Sequence, residues 1–329
     1  MDQFRTELHS TPAEYKISHH DPMLTLGSCF ADSIGQKLKA AKFSVSANPF
    51  GTLYNPLSIH KHVLQSIYNQ TPQEHTYLQH QGIVLNFDFH SEFSSTSKNQ
   101  LETKIKEAIS QAHHFLKSSK FVFLTYGTAW AYERLDTKEV VANCHKMPSR
   151  QFHKFLLTQK KILESFDEFY RALKIFNPEI RIILTVSPVR HLKDTLELNS
   201  VGKSILRLTS HTLNELYSDV DYFPAYEILL DDLRDYRFYS SDMIHPTSDA
   251  IDYIWKKFSD RYFDSKTTTV LEKWQAISKA IDHKAFHPLS SAHQNFLKET
   301  LTKLQDLRTT VNVEEEILNI QSQLTPIVE

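Results

Sequence analysis

Met23-Leu24-Thr25-Leu26-Gly27-Ser28-Cys29-Phe30-Ala31 is the stretch that decides how this chain reads. A short apolar run stops at a glycine. A hydroxyl and a thiol follow, and a helix-like pattern then starts over residues 31–41. The spacing predicts a strand over 23–27, a sharp turn and a helix. That turn is where an α/β fold often carries its nucleophile, because backbone N–H groups at a helix N-terminus favour negative charge. A thiol there tends towards a lowered pKa, whereas a serine would need a neighbouring base. An N-cap serine beside a buried cysteine would give the same string.

The same pattern recurs downstream. Lys120-Phe121-Val122-Phe123-Leu124-Thr125 and Arg181-Ile182-Ile183-Leu184-Thr185-Val186 are continuous apolar runs, as expected for strands buried on both faces of a parallel sheet. Phe43-Ser44-Val45-Ser46 and Val220-Asp221-Tyr222-Phe223 read as shorter strands. Residues 56–69, 101–116, 152–176, 199–216 and 250–263 have helical spacing, and 70–100 is polar and mixed. Strands alternating with helices imply right-handed crossovers and a parallel sheet covered by helices. Beyond residue 266 the pattern is helical and charged, without a strand. The expected organisation is one domain over 1–265 and a helical extension over 266–329. The acidic tail at 311–329 is expected to fray.

Composition bounds the function. A net charge of −2 gives no reason to expect nucleic acid or an anionic membrane as partner. No run approaches the ~20 apolar residues of a membrane helix, and no leader is evident, so the expected location is the cytoplasm. Two cysteines, Cys29 and Cys144, do not make a disulfide framework. Pairs such as His60/His62, His19/His20 and Cys144/His145 offer too few ligands for a metal site. Neither a metal nor another cofactor is expected.

A partner for the first turn lies near the other end of the chain, at Asp242-Met243-Ile244-His245-Pro246. Asp242 could orient the imidazole through Nδ1 and leave Nε2 to take a proton from a nucleophile. In an open parallel sheet the ligand crevice lies beyond the carboxyl ends of the strands. The loops carrying Asn48 and Gly51, and Gly127 and Thr128, are therefore expected around the same mouth, where they could supply an oxyanion hole. Arg190 and Lys203 have the charge to hold an anionic or acyl-bearing substrate.

Gly27-Ser28-Cys29-Phe30-Ala31, followed in order by Asn143-Cys144-His145-Lys146, Ser187-Pro188-Val189-Arg190-His191 and Asp242-x-x-His245-Pro246, resembles the bacterial GSCFA domain family over roughly residues 20–265. That family is similar to the SGNH (GDSL-type) hydrolases. The resemblance implies a flavodoxin-like three-layer α/β/α sandwich, here with a C-terminal helical appendage. It makes Asp242 and His245 the acid and base, puts Gly51 at the oxyanion glycine, and adds Asn143, His145 and Arg190 to the candidate substrate-binding residues. Two departures stand out. Gly127-Thr128-Ala129 replaces the expected Gly-x-Asn. In direct register Cys29 takes the serine's place, and a slip of one residue restores Ser28. The implied activity is an esterase acting on an ester or acylated carbohydrate through a covalent acyl-enzyme. Transfer to a sugar hydroxyl is one alternative, and a non-catalytic carbohydrate- or ligand-binding module is another. Self-association through the C-terminal helices is a further expectation.

Overall fold

The computed structural model describes residues 5–324 apart from 10, 194 and 284. Within these, one compact unit takes residues 5–9, 22–36 and 45–256, and a second takes 11–21, 37–44 and 257–324.

The first unit is built on a five-stranded, all-parallel sheet. Its strands are Met23–Gly27 (β1), Val45–Ala47 (β2), Phe121–Tyr126 (β5), Arg181–Val186 (β9) and Val220–Tyr222 (β10), in the order β2-β1-β5-β9-β10. The chain moves outward from β1 to β2, then reverses across the sheet, which is the flavodoxin-like order. With right-handed crossovers, this reversal puts helix Cys29–Ala40 (α1) on one face. Helices Lys98–Ser118 (α3), Gln159–Phe176 (α4) and Leu196–Leu216 (α5) lie on the other. The fold is thus a three-layer α/β/α arrangement.

Every residue of β1 and β5 is buried. Leu24, Leu26, Val122, Leu124, Ile182 and Leu184 share one apolar cluster with Ile105, Phe166, Phe169 and Leu206 from the helices. Each such side chain contributes roughly 1.5–3 kcal/mol by leaving water. Helix Pro56–Tyr68 (α2) adds Ile59 and Val63 to the cluster. It starts sharply because Asn55 caps it and Pro56 occupies its first turn, and it stops at Asn69 in a left-handed conformation.

Two antiparallel excursions leave the parallel sheet. The stretch read as polar and mixed contains a hairpin, Tyr77–His80 (β3) with Ile83–Asn86 (β4). Between β5 and α4, Trp130–Arg134 (β6) pairs with both Val140–Val141 (β7) and Phe152–Leu156 (β8). This corrects the helix expected from Phe152: the first five residues alternate and complete a ladder with β6. The helix begins only where Thr158 accepts a bond from the Lys161 N–H. After β10, the short helix Ala225–Glu227 (α6) leads through a wide-turned segment towards Ser248–Tyr262 (α7).

The second unit contains Ser265–Ile281 (α8), Ser291–Leu307 (α9) and Glu314–Gln323 (α10). Trp274, Leu297, Leu304, Val313, Ile317 and Ile320 form its apolar core. The expected fraying is therefore corrected over 314–323, where Ile317 and Ile320 anchor a helix, while residues 325–329 lie outside the described residues. No helix among the described residues is long and apolar enough to cross a membrane.

Candidate active site

The turn after β1 is over-determined by its backbone. Gly27 has φ 140°, and a Cβ there would collide with the Thr125 carbonyl oxygen of β5. The Asn48 side chain grips both sides of the same peptide group's neighbourhood: Oδ1 accepts from Gly27 N–H (2.8 Å) and Nδ2 donates to Gly27 O (3.2 Å). Leu53 N–H donates to the same carbonyl at 2.8 Å, and Ser28 N–H to Thr125 O at 3.2 Å.

Ser28 and Cys29 then diverge. Ser28 is 2% exposed, and its Oγ accepts from the Phe30 N–H at 3.3 Å, which is the work of a helix cap. Cys29 is the first residue of α1 and only partly buried. Burial pushes its thiol pKa up, and the Asp32 charge adds to that, while hydrogen bonding from Tyr54 and Thr52 pulls down. The net direction is upward, so the helix terminus does not produce a standing thiolate and a base is needed. Asp32 lies one turn along α1 and accepts from Thr52 Oγ1 at 3.3 Å. Burial raises its carboxyl pKa as well. The sequence reading did not single out Asp32, Thr52 or Tyr54. Asp32 was visible as the i+3 neighbour of Cys29, and Thr52 follows Gly51 directly.

Asp242 and His245 form a self-contained dyad. Asp242 Oδ2 accepts from His245 Nδ1 at 2.6 Å, while Oδ1 accepts the N–H groups of His245 (3.0 Å) and Ile244 (2.9 Å). The His245 backbone N–H, then its ring, then the Ile244 N–H hold the Asp242 carboxyl down at about 2. With Nδ1 protonated against a carboxylate, the lone pair of the neutral ring is on Nε2. Arg190 secures the loop. Its N–H donates to Ile244 O (3.1 Å), Nη1 donates to Met243 O (3.2 Å), and the guanidinium lies 3.9 Å from the Tyr239 ring centroid. Because Arg190 follows β9, the dyad sits at the same carboxyl edge of the sheet as Cys29, on the far side of β5. No hydrogen bond joins His245 to Ser28 or Cys29 among the described residues.

The remaining expected residues are mostly engaged elsewhere. Gly51 N–H donates to Asn48 O at 2.8 Å, and Gly127 and Thr128 N–H both donate to Tyr54 O at 2.8 and 3.0 Å. The Asn48 amide is spent on Gly27, and Thr128 Oγ1 accepts from the Trp130 N–H. The backbone N–H groups of Gly51, Gly127 and Thr128 are thus engaged within the protein, whereas the Thr128 hydroxyl, which only accepts, keeps its own proton to donate. The Cys29 N–H, at the start of α1, is the backbone donor that faces its own sulfur.

Asn143 Oδ1 accepts from the His145 N–H, and His145 is buried between Asn86 O (2.7 Å) and the Ser91 hydroxyl (3.2 Å). Burial lowers the His145 pKa, so it packs as a neutral ring. Arg190 holds the dyad loop through Met243 O. Lys203 is likewise taken: it is 2% exposed and ties Gly127 O (2.7 Å) to Ser187 O (2.6 Å). Burial lowers its pKa to about 7.

Thr128 and Asn143 do come together, along with Tyr54, Trp130 and Cys144, around a cavity of about 360 Å³. Burial raises the Cys144 thiol to about 11, which leaves it a neutral wall residue. Among the described residues, no group of three or more His, Cys, Asp or Glu side chains is arranged to hold a metal ion.

The model of the GSCFA family matches residues 22–258, and that of the GSCFA domain protein C-terminal domain matches 274–326. The chain belongs to the GSCFA family. No curated protein matches the sequence. Among solved structures it is similar to a protein from Streptococcus pneumonia provisionally named as a platelet activating factor. That match has 12% identity, covers 74% of this chain and 86% of that one, and has a TM-score of 0.38. It is also similar to the acetyl xylan esterase Est2A from the rumen bacterium Butyrivibrio proteoclasticus, at 12% identity, over 76% of this chain and 66% of that one, with a TM-score of 0.34.

Proposed function

We propose that this GSCFA-family chain is an acyl-processing enzyme, an ester hydrolase whose nucleophile is Cys29. One observation carries the reading: within Gly27-Ser28-Cys29 the hydroxyl is buried as a helix cap, while the thiol remains accessible at the N-terminus of α1. The oriented Asp242–His245 pair at the same sheet edge supports it.

In this reading His245 Nε2 removes the thiol proton as the sulfur attacks an ester carbonyl, the two groups closing to hydrogen-bond distance once substrate is seated. The α1 N-terminus and the Cys29 N–H meet the charge that develops on the carbonyl oxygen. The alcohol leaves with the proton held by His245 and a thioester remains on Cys29. Water, deprotonated by His245, then releases the acid and restores the thiol. The raised thiol pKa suits this concerted use of a base better than a resting ion pair.

The acyl site belongs to residues 1–265, with 266–329 as a helical extension. The cytoplasm suits a chain whose two cysteines are both free thiols, one of them the nucleophile. A second reading, transfer to a sugar hydroxyl in place of water, is favoured by the aromatic cavity beside Tyr54.

The test is turnover of a chromogenic acetyl ester and of acetylated sugars by wild type, Cys29→Ala and Ser28→Ala, with mass spectrometry of the trapped protein. Cys29→Ala should lose on the order of 10³-fold in rate, and the acyl mass should map to Cys29. Ser28→Ala should keep turnover within about tenfold. Full activity in Cys29→Ala overturns the nucleophile. Absence of turnover on esters, thioesters and sugar acetates replaces the enzyme with a binding module.

A further inference from the structure

We propose that the cavity beside Tyr54 binds an anionic sugar unit, and that the natural substrate is an acyl ester of such a sugar. The inference rests on the reading of Cys29 as the acyl-accepting thiol, and it adds the chemical class of what carries the acyl group.

Position comes first. Tyr54 forms one wall of the cavity and also hydrogen-bonds the Cys29 sulfur. A ligand seated there is therefore separated from Cys29 by a single side chain, Tyr54. A volume of about 360 Å³ is near the lower end of the ~300–1,000 Å³ typical of small-molecule sites. It suits a sugar unit better than a long chain.

The lining then restricts the chemistry. Trp130, Tyr132 and Phe152 contribute ring surface, which packs against the C–H face of a sugar. Trp130 is held in place by a bond from its indole N–H to Leu198 O at 3.3 Å. No aspartate or glutamate among the described residues lines the cavity, but Lys146 and Lys193 do. Neither lysine has a carboxylate partner among the described residues. The Lys193 ammonium lies 5.1 Å from the Tyr132 ring centroid, and its field reaches the Cys144 thiol in the same wall. Two exposed ammonium groups over an aromatic pocket, with no carboxylate among the described lining residues, favour a ligand with negative charge. Of the basic residues that the sequence offered for this task, Lys203 is committed to the protein's own carbonyls and Arg190 does not line this cavity. The charge is a carboxylate in a uronic acid or a phosphate in a sugar phosphate, and the two share this recognition.

The test measures equilibrium binding to the full-length Cys29→Ala protein, by calorimetry and by Trp130 fluorescence with Trp130→Phe as control. The probes are glucuronic acid, glucose 6-phosphate and glucose. Both or either of the anions should bind about tenfold or more tightly than glucose, and that margin should shrink as salt is raised. Which anion binds names the source of the charge. The Lys146→Gln/Lys193→Gln variant should bind all three within about twofold while keeping the wild-type unfolding midpoint, since both lysines are exposed. Glucose binding as tightly as the anions, or a preference that survives in the double lysine variant, overturns the inference. Because binding is measured without the thiol, this outcome is independent of whether Cys29 is the nucleophile, which the turnover assay decides.

Discussion

The two halves of the candidate site are built in opposite ways. The Gly27–Cys29 turn is locked into the sheet by partners distant in sequence: Thr125, Asn48 and Leu53 all bond its backbone. The Asp242–His245 loop is exposed and makes its own geometry, since one carboxylate holds two backbone N–H groups and the imidazole within four residues. Arg190 supplies the loop's outside tether. The Gly27–Cys29 half therefore shares the fate of the core, whereas the Asp242–His245 half can be altered without disturbing it. Damage to the backbone and cap of the first should show in stability, and damage to the second in rate.

Acid separates the halves most strongly. His60, bonded to the Tyr126 hydroxyl at the end of β5, and His62 are fully buried, and burial lowers their pKa values to about 3 and about 4. The fold thus disfavours their charged forms. Stability is complete above the usual histidine pKa of about 6.5 and is lost as pH falls below it, by about 1.4 kcal/mol per pH unit for each ring. Asp242, held at about 2, keeps its charge throughout that window. Urea unfolding between pH 7 and pH 4 should show this slope, and His60→Gln should flatten it. A slope unchanged in that variant would place the acid sensitivity elsewhere.

His245→Ala should lower kcat on an acetyl ester by roughly 10³-fold while moving the unfolding free energy by less than about 1 kcal/mol. A loss of stability matching the loss of rate would break the distinction between the halves. Gly27→Ala should show the converse. Its added methyl meets the Thr125 carbonyl in a left-handed backbone, at a cost of about 3 kcal/mol measured by denaturation. Ser28→Ala removes a cap and should cost about 1 kcal/mol, read as a lower thermal midpoint. Arg190→Met should have the smallest effect, a drop in kcat of about threefold to tenfold with KM little changed, as the dyad loses one tether. An unchanged kcat in that variant would mean that the dyad's local bonds suffice.

What could be read in advance followed the range of the interactions. β1, β5 and β9 were legible because strands buried on both faces must be continuously apolar. The dyad was legible because its spacing brings carboxylate and imidazole together locally. The excursion at 130–156 was not, since β8 is a strand only by virtue of β6 beside it. Nor was the engagement of Gly127 and Thr128, whose N–H groups are claimed by the Tyr54 carbonyl that tertiary packing delivers.

The sequence by itself determined the parallel α/β architecture, the strand-end turn and the Asp242–His245 pair, because periodicity and short spacing are local. Only the tertiary structure gave the two adjacent side chains of that turn different surroundings. It buried Ser28 against the helix it caps and left Cys29 beside Tyr54. It also committed Lys203 to backbone carbonyls and set Lys146 and Lys193 around a cavity with no carboxylate among its described lining residues. Exposure and partnership depend on residues far apart in the chain, and these arise only when the sheet closes.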